Sequence, residues 1–251
     1  MYLKAVSSRT VAICSIYIND LPECVRSDSG LFADDAKIHR EVTSSVNRDL
    51  FVQEDLGNLS NWSRNWQLGF QPPKCKHLPI GHDPSYQYEM CDMGGNKSQL
   101  QVVTTEKDLG IIIDSNLNFK KHIDDITNRA NKVLFTIKRT LTYKNEKTVL
   151  LLYKALVRPI LEYAQEVWHP VLLQDIDRIE KIQRRATKLI PSIKHLSYED
   201  RLRHLKLPSL VYRRKRGDML TTYKIMHGLL VSNISLVRNT CTNERTLHSE
   251  I

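Results

Sequence analysis

The chain of 251 residues contains no Cys-x-x-Cys pair. Its cysteines, Cys14, Cys24, Cys75, Cys91 and Cys241, are odd in number and widely scattered. That pattern argues against a zinc knuckle and against a disulfide framework, and it fits a reducing, intracellular compartment, nucleus or cytoplasm. No apolar run approaches the roughly 20 residues that cross a bilayer, so no membrane partner is expected. "TVAICSIYI" has the length of a signal-peptide core, but "ND" follows it without a small-residue cleavage site. It reads as interior structure. There is no internal repeat and no low-complexity linker.

What is present is a globular composition, 41% hydrophobic and 26% charged, with a net charge of +9. The charge is uneven: residues 1–100 carry net −2 and residues 101–251 carry net +11. Such an excess fits a polyanion partner or a basic but merely solvated helical surface. Between Lys181 and Arg216 there are twelve Lys or Arg and two acids, Glu199 and Asp200, with "RRKR" at 213–216 the densest piece.

The order of elements predicts an α+β chain. "CSIYINDLPECV" reads as the end of a buried helix running into a turn. "SGLFADDAKIHREV" reads as two short strands, with Asp34-Asp35 as a turn pair that tolerates turn dihedrals. A helix of about 22 residues follows, with Thr43, Ser44 and Ser45 offering cap oxygens and Val52, Leu56, Leu59, Trp62 and Trp66 forming a core stripe. Pro72-Pro73 breaks it. Strands are expected at Cys75–Ile80, Tyr86–Met90, Leu100–Thr104 and in "KDLGIIID", with a Gly94-Gly95-Asn96 turn. Helical periodicity then takes over. Helices are expected over Phe119–Leu141, Lys147–Glu166 (bent near Pro159), Gln174–Leu189, a short one capped at Ser197, and Ser209–His227 with Gly228 as its stop. The boundaries predicted are 1–116 for the mixed segment, 117–230 for the helical one and 231–251 for a frayed tail.

The Asp34-Asp35 pair is the sharpest candidate for chemistry. Two carboxylates at a hairpin tip suit Mg²⁺, which wants oxygen ligands, although ordinary surface turns also carry Asp-Asp. The histidines His39, His77, His82, His122 and His169 show no metal spacing and receive no role.

"YINDLP" at 17–22, "LFADDAKI" at 31–38, the run from Trp62 to Gly81 and "KDLGIIID" at 107–114 occur in one order. "LYKALVRPILEYAQEVWHP" and "IEKIQRRATKLI" follow. Together, from about Ser15 to Gly228, they resemble the reverse transcriptases of non-LTR, jockey- and CR1-like retrotransposons. The resemblance implies an RNA-directed DNA polymerase that uses an RNA template, a DNA primer, nucleotides and Mg²⁺. It implies a partial palm followed by a thumb-like helical region. Asp34 would be the direct Mg²⁺ ligand, with Asp35 beside it as the second catalytic carboxylate. Lys74 and Lys76 would lie near phosphates, "KDLGIIID" would grip the primer end, and Arg184, Arg185, Arg213, Arg214, Lys215 and Arg216 would contact nucleic acid. Gln71 departs from the family's Asn.

The family's further Asp, from a strand upstream of the hairpin, and its Gln-Gly segment have no counterpart in "MYLKAVSSRTVAIC". Asp20 and Asp28 sit in the wrong places to replace that Asp. The fingers and endonuclease are likewise unmatched. The expectation is a fragment, from a 5′-truncated copy or a partial gene model, that does not polymerise DNA alone. Its sheet should also lack a central strand and so expose an edge. The alternative is a non-catalytic nucleic-acid-binding remnant that uses its basic helices.

Overall fold

The computed structural model describes residues 2–4, 18–32, 35–41, 48–81 and 86–230, with backbone alone at 2–4 and 48–49. The chain divides into two compact units, 1–121 and 122–251. The cap oxygens of Thr43, Ser44 and Ser45, the helix before Ile18, His82 and the tail from Val231 lie outside the described residues.

The first unit is built on a sheet of five short strands. These are β1 (Tyr2–Lys4), β2 (Asp28–Phe32), β3 (Asp35–His39), β4 (Lys76–His77) and β7 (Gln101–Val102), in the spatial order β2-β3-β1-β4-β7. Two separate antiparallel pairs accompany it: β5 (Glu89–Cys91) with β6 (Lys97–Gln99), and β8 (Thr105–Asp108) with β9 (Ile111–Asp114). One face of the sheet packs on helix α1 (Arg48–Trp66). Ala36 and Ile38 of β3 join Leu56, Leu59 and Trp62 of α1 in the core, together with Phe70, Cys75, Met90 and Leu100. Trp66 ends the stripe at the surface, with its ring against Trp62.

Polar side chains fix the loops around this core. Asp55, fully buried on α1, accepts from the backbone N–H groups of Arg26 (2.8 Å) and Ser27 (3.0 Å), and so holds the entry to β2. Asp20 accepts from the Trp62 indole at 3.0 Å. Gln53 both donates to and accepts from the backbone of Glu89, substituting for a neighbouring strand.

Three sequence expectations need correction. Tyr2–Lys4 lies inside the sheet between β3 and β4, so the central position is filled and no edge opens there. The Gly94-Gly95 turn pairs Glu89–Cys91 with Lys97–Gln99, not with Leu100–Thr104. Asp92 sets that register by accepting from the Asn96 backbone N–H at 2.8 Å, and Gln101–Val102 then pairs parallel to β4. The strand expected over Cys75–Ile80 shrinks to Lys76–His77, because Pro79 cannot donate to a ladder.

The second unit is helical. It contains α2 (Lys120–Thr140, from residue 122), α3 (Glu146–Leu152), α4 (Arg158–Glu162), α5 (Gln165–Trp168), α6 (Leu173–Lys188), α7 (Tyr198–Leu205) and α8 (Leu210–Met226). Asn145, Ser197 and Ser209 cap α3, α7 and α8 through their side chains. Residues Tyr153–Val157 form a π turn between α3 and α4. Pro159 has no N–H and its ring collides with an α-helical carbonyl four residues back, so the helix widens there. Asp124 pairs with Arg178 (2.5 Å) and Asn131 accepts from Arg185 (3.0 Å). Each step advances seven residues on both helices, which makes α2 and α6 parallel neighbours. No described helix is long and apolar enough to cross a membrane.

Candidate catalytic hairpin and basic surface

β2 and β3 form an antiparallel hairpin in which Phe32 pairs with Asp35, leaving a two-residue connection, 33–34. Strand side chains alternate between faces. Ala36 and Ile38 are buried in the core, which puts Asp35, Lys37 and His39 on the opposite, open face. Asp35 is half-buried. Asp34 lies outside the described residues.

The strand beside β3 decides what can gather around Asp35. Register pairs Lys4 of β1 with Asp35, Leu3 with Ala36 and Tyr2 with Lys37. Tyr2 also pairs with Lys76 of β4. The sequence Tyr-Leu-Lys brings no carboxylate. Among the described residues no three His, Cys, Asp or Glu side chains converge at metal-binding spacing. The described residues of this face thus form no carboxylate-rich cluster of the kind an octahedral Mg²⁺ takes.

The register row Lys37, Tyr2, Lys76 crosses three strands, so positions 37 and 76 share the open face with Asp35. Each lysine meets an acid of β8. Lys37 pairs with Asp108, and the Lys76 amine lies 2.7 Å from Glu106. All four side chains are partly or largely covered. Lys74 sits in a single 3-10 turn, Pro72–Lys74, and is exposed, while Cys75 between the two lysines is buried. "KDLGIIID" is the β8–β9 hairpin. Its two-residue turn, Leu109-Gly110, has positive φ at both positions (44° and 89°), as a type I′ turn requires. Where β9 ends, the buried Asp114 carboxylate accepts from the backbone N–H groups of Asn116 (3.1 Å), Asn118 (3.2 Å) and Phe119 (2.8 Å).

The basic cluster of the second unit divides by helical period. Lys215 and Arg216 are exposed. Arg213 forms a two-point pair with Glu162 on α4. Arg214 is 1% exposed, and none of its three guanidinium nitrogens has a hydrogen-bond partner among the described residues. Burial pulls its pKa below the ordinary guanidinium value, opposed by the carboxylates of Glu180, Glu162 and Asp218. Arg184 is exposed, pairs with Asp177 (2.9 Å) and lies over the Tyr198 ring. Arg185 is exposed beside Asn131. "RRKR" is thus half interior framework and half surface.

Glu180 organises the interior of this unit and carried no signal in the sequence. Its buried carboxylate accepts from the Tyr198 hydroxyl and from the backbone N–H groups of Leu210 (3.3 Å) and Val211 (3.1 Å) at the start of α8. Tyr198 and Tyr153 both have hydroxyl pKa values pushed above the ordinary tyrosine range, chiefly by burial. Of the ion-paired acids, Glu106 was likewise unmarked and Asp108 stood only within "KDLGIIID". Their alternation in "TEKD" opposite two lysines on other strands becomes visible only once the sheet is assembled.

No protein-family model matches this chain, and no solved structure matches it. It is similar to several curated proteins. An uncharacterised Caenorhabditis elegans protein is 30% identical over 124 residues, 48% of this chain and 63% of that protein. The probable RNA-directed DNA polymerase from transposon X-element of Drosophila melanogaster is 25% identical over 190 residues, 70% of this chain and 20% of the polymerase. The RNA-directed DNA polymerase from mobile element jockey, from the same organism, is 23% identical over 213 residues, 82% of this chain and 22% of the polymerase. The chain thus spans about a fifth of the length of these polymerases. It is a distant relative of the RNA-directed DNA polymerases of the X-element and jockey mobile elements.

Proposed function

We propose that this chain corresponds to part of a reverse transcriptase of the non-LTR retrotransposon class, a partial palm with a thumb-like helical region, and that by itself it binds nucleic acid without copying it. The observation that supports this reading best is the β2–β3 hairpin. It carries Asp34-Asp35 at its tip and buries one face in the core, and it belongs to a chain whose distant relatives are RNA-directed DNA polymerases.

In a complete polymerase such a hairpin would supply carboxylates to Mg²⁺, the ion that activates a 3′-hydroxyl and offsets charge on the leaving pyrophosphate. Here Asp34 and Asp35 would be the ligands offered. The neighbouring strand offers Tyr-Leu-Lys, which adds no carboxylate to the pair. Binding falls to the cations. Lys74 on the first unit, and Arg184, Arg185, Lys215 and Arg216 on the second, are exposed and suit phosphate oxygens. Arg213 ties α8, which carries Lys215 and Arg216, to α4 through Glu162, and Arg214 is buried away from solvent.

Two assays test this reading on the chain as it exists. Primer extension on an RNA template with Mg²⁺ and deoxynucleotides is expected to give no product above background. Equilibrium binding to an RNA–DNA duplex is expected, and charge reversal at Arg184, Arg185, Lys215 and Arg216 should weaken it at least tenfold. Extension by the unaltered chain would overturn the non-catalytic part. Unchanged binding by the reversed variant would overturn the assigned surface.

A further inference from the structure

The open face of the sheet places two lysines in one register row, Lys37 on β3 and Lys76 on β4, with one strand between them. Two strand spacings separate them by about 10 Å at the backbone. Two acids from one edge of the β8–β9 hairpin meet them: Asp108 takes Lys37 and Glu106 takes Lys76 at 2.7 Å. Glu106 and Asp108 are two residues apart, so they point the same way, about 7 Å from each other along the strand. The hairpin belongs to a separate two-stranded sheet, so these pairs cross between two sheets. Asp35 lies two residues from Lys37, on the same face.

We infer that the Lys37–Lys76 row is a binding site for a phosphate-bearing ligand and that Glu106 and Asp108 are its built-in competitors, carboxylates that occupy the two ammonium groups until phosphate displaces them. Lysine and phosphate form charge-assisted hydrogen bonds as lysine and carboxylate do, and a polyphosphate carries more charge than either acid. The ion pairs are covered only in part, Lys76 being 34% exposed, so an anion can reach them from solvent. A ligand that wins the lysines frees the hairpin edge beside Asp35. The site is thereby closed by default and opened by its own ligand. This deepens the proposed function by naming a regulation of the same face. It can be tested with inorganic tripolyphosphate, without nucleic acid, so it fails separately from duplex binding.

The test is calorimetric titration of the full chain at low ionic strength with sodium tripolyphosphate. The variant E106Q/D108N removes both competing charges and keeps the side-chain shapes. It should bind about tenfold tighter than the unaltered chain, and adding K37A/K76A should abolish the gain. A control, E23Q/E54Q, removes two exposed acids elsewhere and should show no gain. Equal affinity of E106Q/D108N and the unaltered chain overturns the inference, as does an equal gain in the control. If E106Q/D108N does not fold by circular dichroism, E106Q alone takes its place. It should gain about threefold, and no gain is again contrary. Parallel titrations with a deoxynucleoside triphosphate and with a DNA duplex identify the phosphate source. The one that shows the gain is the source, and a gain with tripolyphosphate alone assigns the site to inorganic polyphosphate.

Discussion

At the scale of single residues, stability depends on positions where the backbone demands what the side chain does not favour. α1 ends with Gln67 at φ 54°, and α7 ends with Lys206 at φ 50°. In each, the next N–H reaches back five residues, Leu68 to Ser63 (3.1 Å) and Leu207 to Leu202 (2.9 Å). A left-handed residue with a Cβ costs about 1 kcal/mol relative to glycine. Gln67→Gly and Lys206→Gly should each raise stability by about 0.5–1 kcal/mol, measured by urea unfolding. Leu109 in the type I′ turn follows the same logic, and Leu109→Asn should stabilise the hairpin by a similar amount. A pH effect belongs to Asp92, whose pKa is lowered, first by the Asn96 side chain and then by backbone N–H groups. A depressed carboxylate contributes above its unfolded pKa and loses that contribution as pH falls through its lower folded value. The turn amides of Gly95 and Asn96 should therefore keep their chemical shifts through the ordinary aspartate range and change only below it. In Asp92→Asn that titration should vanish.

At the scale of elements, the carboxylate of Glu180 joins α6 to α7 and α8, and Arg213 with Glu162 joins α8 to α4. Glu180→Ala leaves two backbone N–H groups and a tyrosine hydroxyl without their acceptor in a buried place. It should cost about 3 kcal/mol. Arg214→Met, by contrast, should leave the melting temperature unchanged or raise it, because a buried guanidinium without hydrogen bonds is replaced by apolar volume. These elements also show how far a sequence can be read. The α1 stripe, the β2–β3 hairpin, the capped helices at Ser197 and Ser209 and the stop at Gly228 rest on local rules and were legible, but Asp35 is the first residue of β3, paired with Phe32, and not half of the turn. The helix ends at Gln67 and Lys206 were not, because neither residue marks a left-handed cap. The register of β5 with β6 depends on one Asp92 side chain, and the parallel β4–β7 pair joins residues far apart in the chain. For the candidate site, Asp35 and Lys76 could be named from the sequence. Their shared face, the lysine of β1 opposite Asp35 and the acids that occupy Lys37 and Lys76 required the assembled sheet. Arg214 was misplaced on the surface because a run of four cations conceals which of them the helix turns inward.

At the scale of the whole molecule, the net positive charge of the helical half and the polymerase relatives meet in one expectation, nucleic-acid binding. The most direct measurement is the affinity for an RNA–DNA duplex as a function of salt, followed by fluorescence anisotropy. Contacts from Arg184, Arg185, Lys215 and Arg216 of the helical unit predict that log affinity falls linearly with log salt, with a slope of about −3 to −4 for up to four phosphates neutralised. Charge reversal at Lys215 and Arg216 should bring the slope about 2 closer to zero. No binding at low salt, or binding whose slope is unchanged in that variant, would contradict the account.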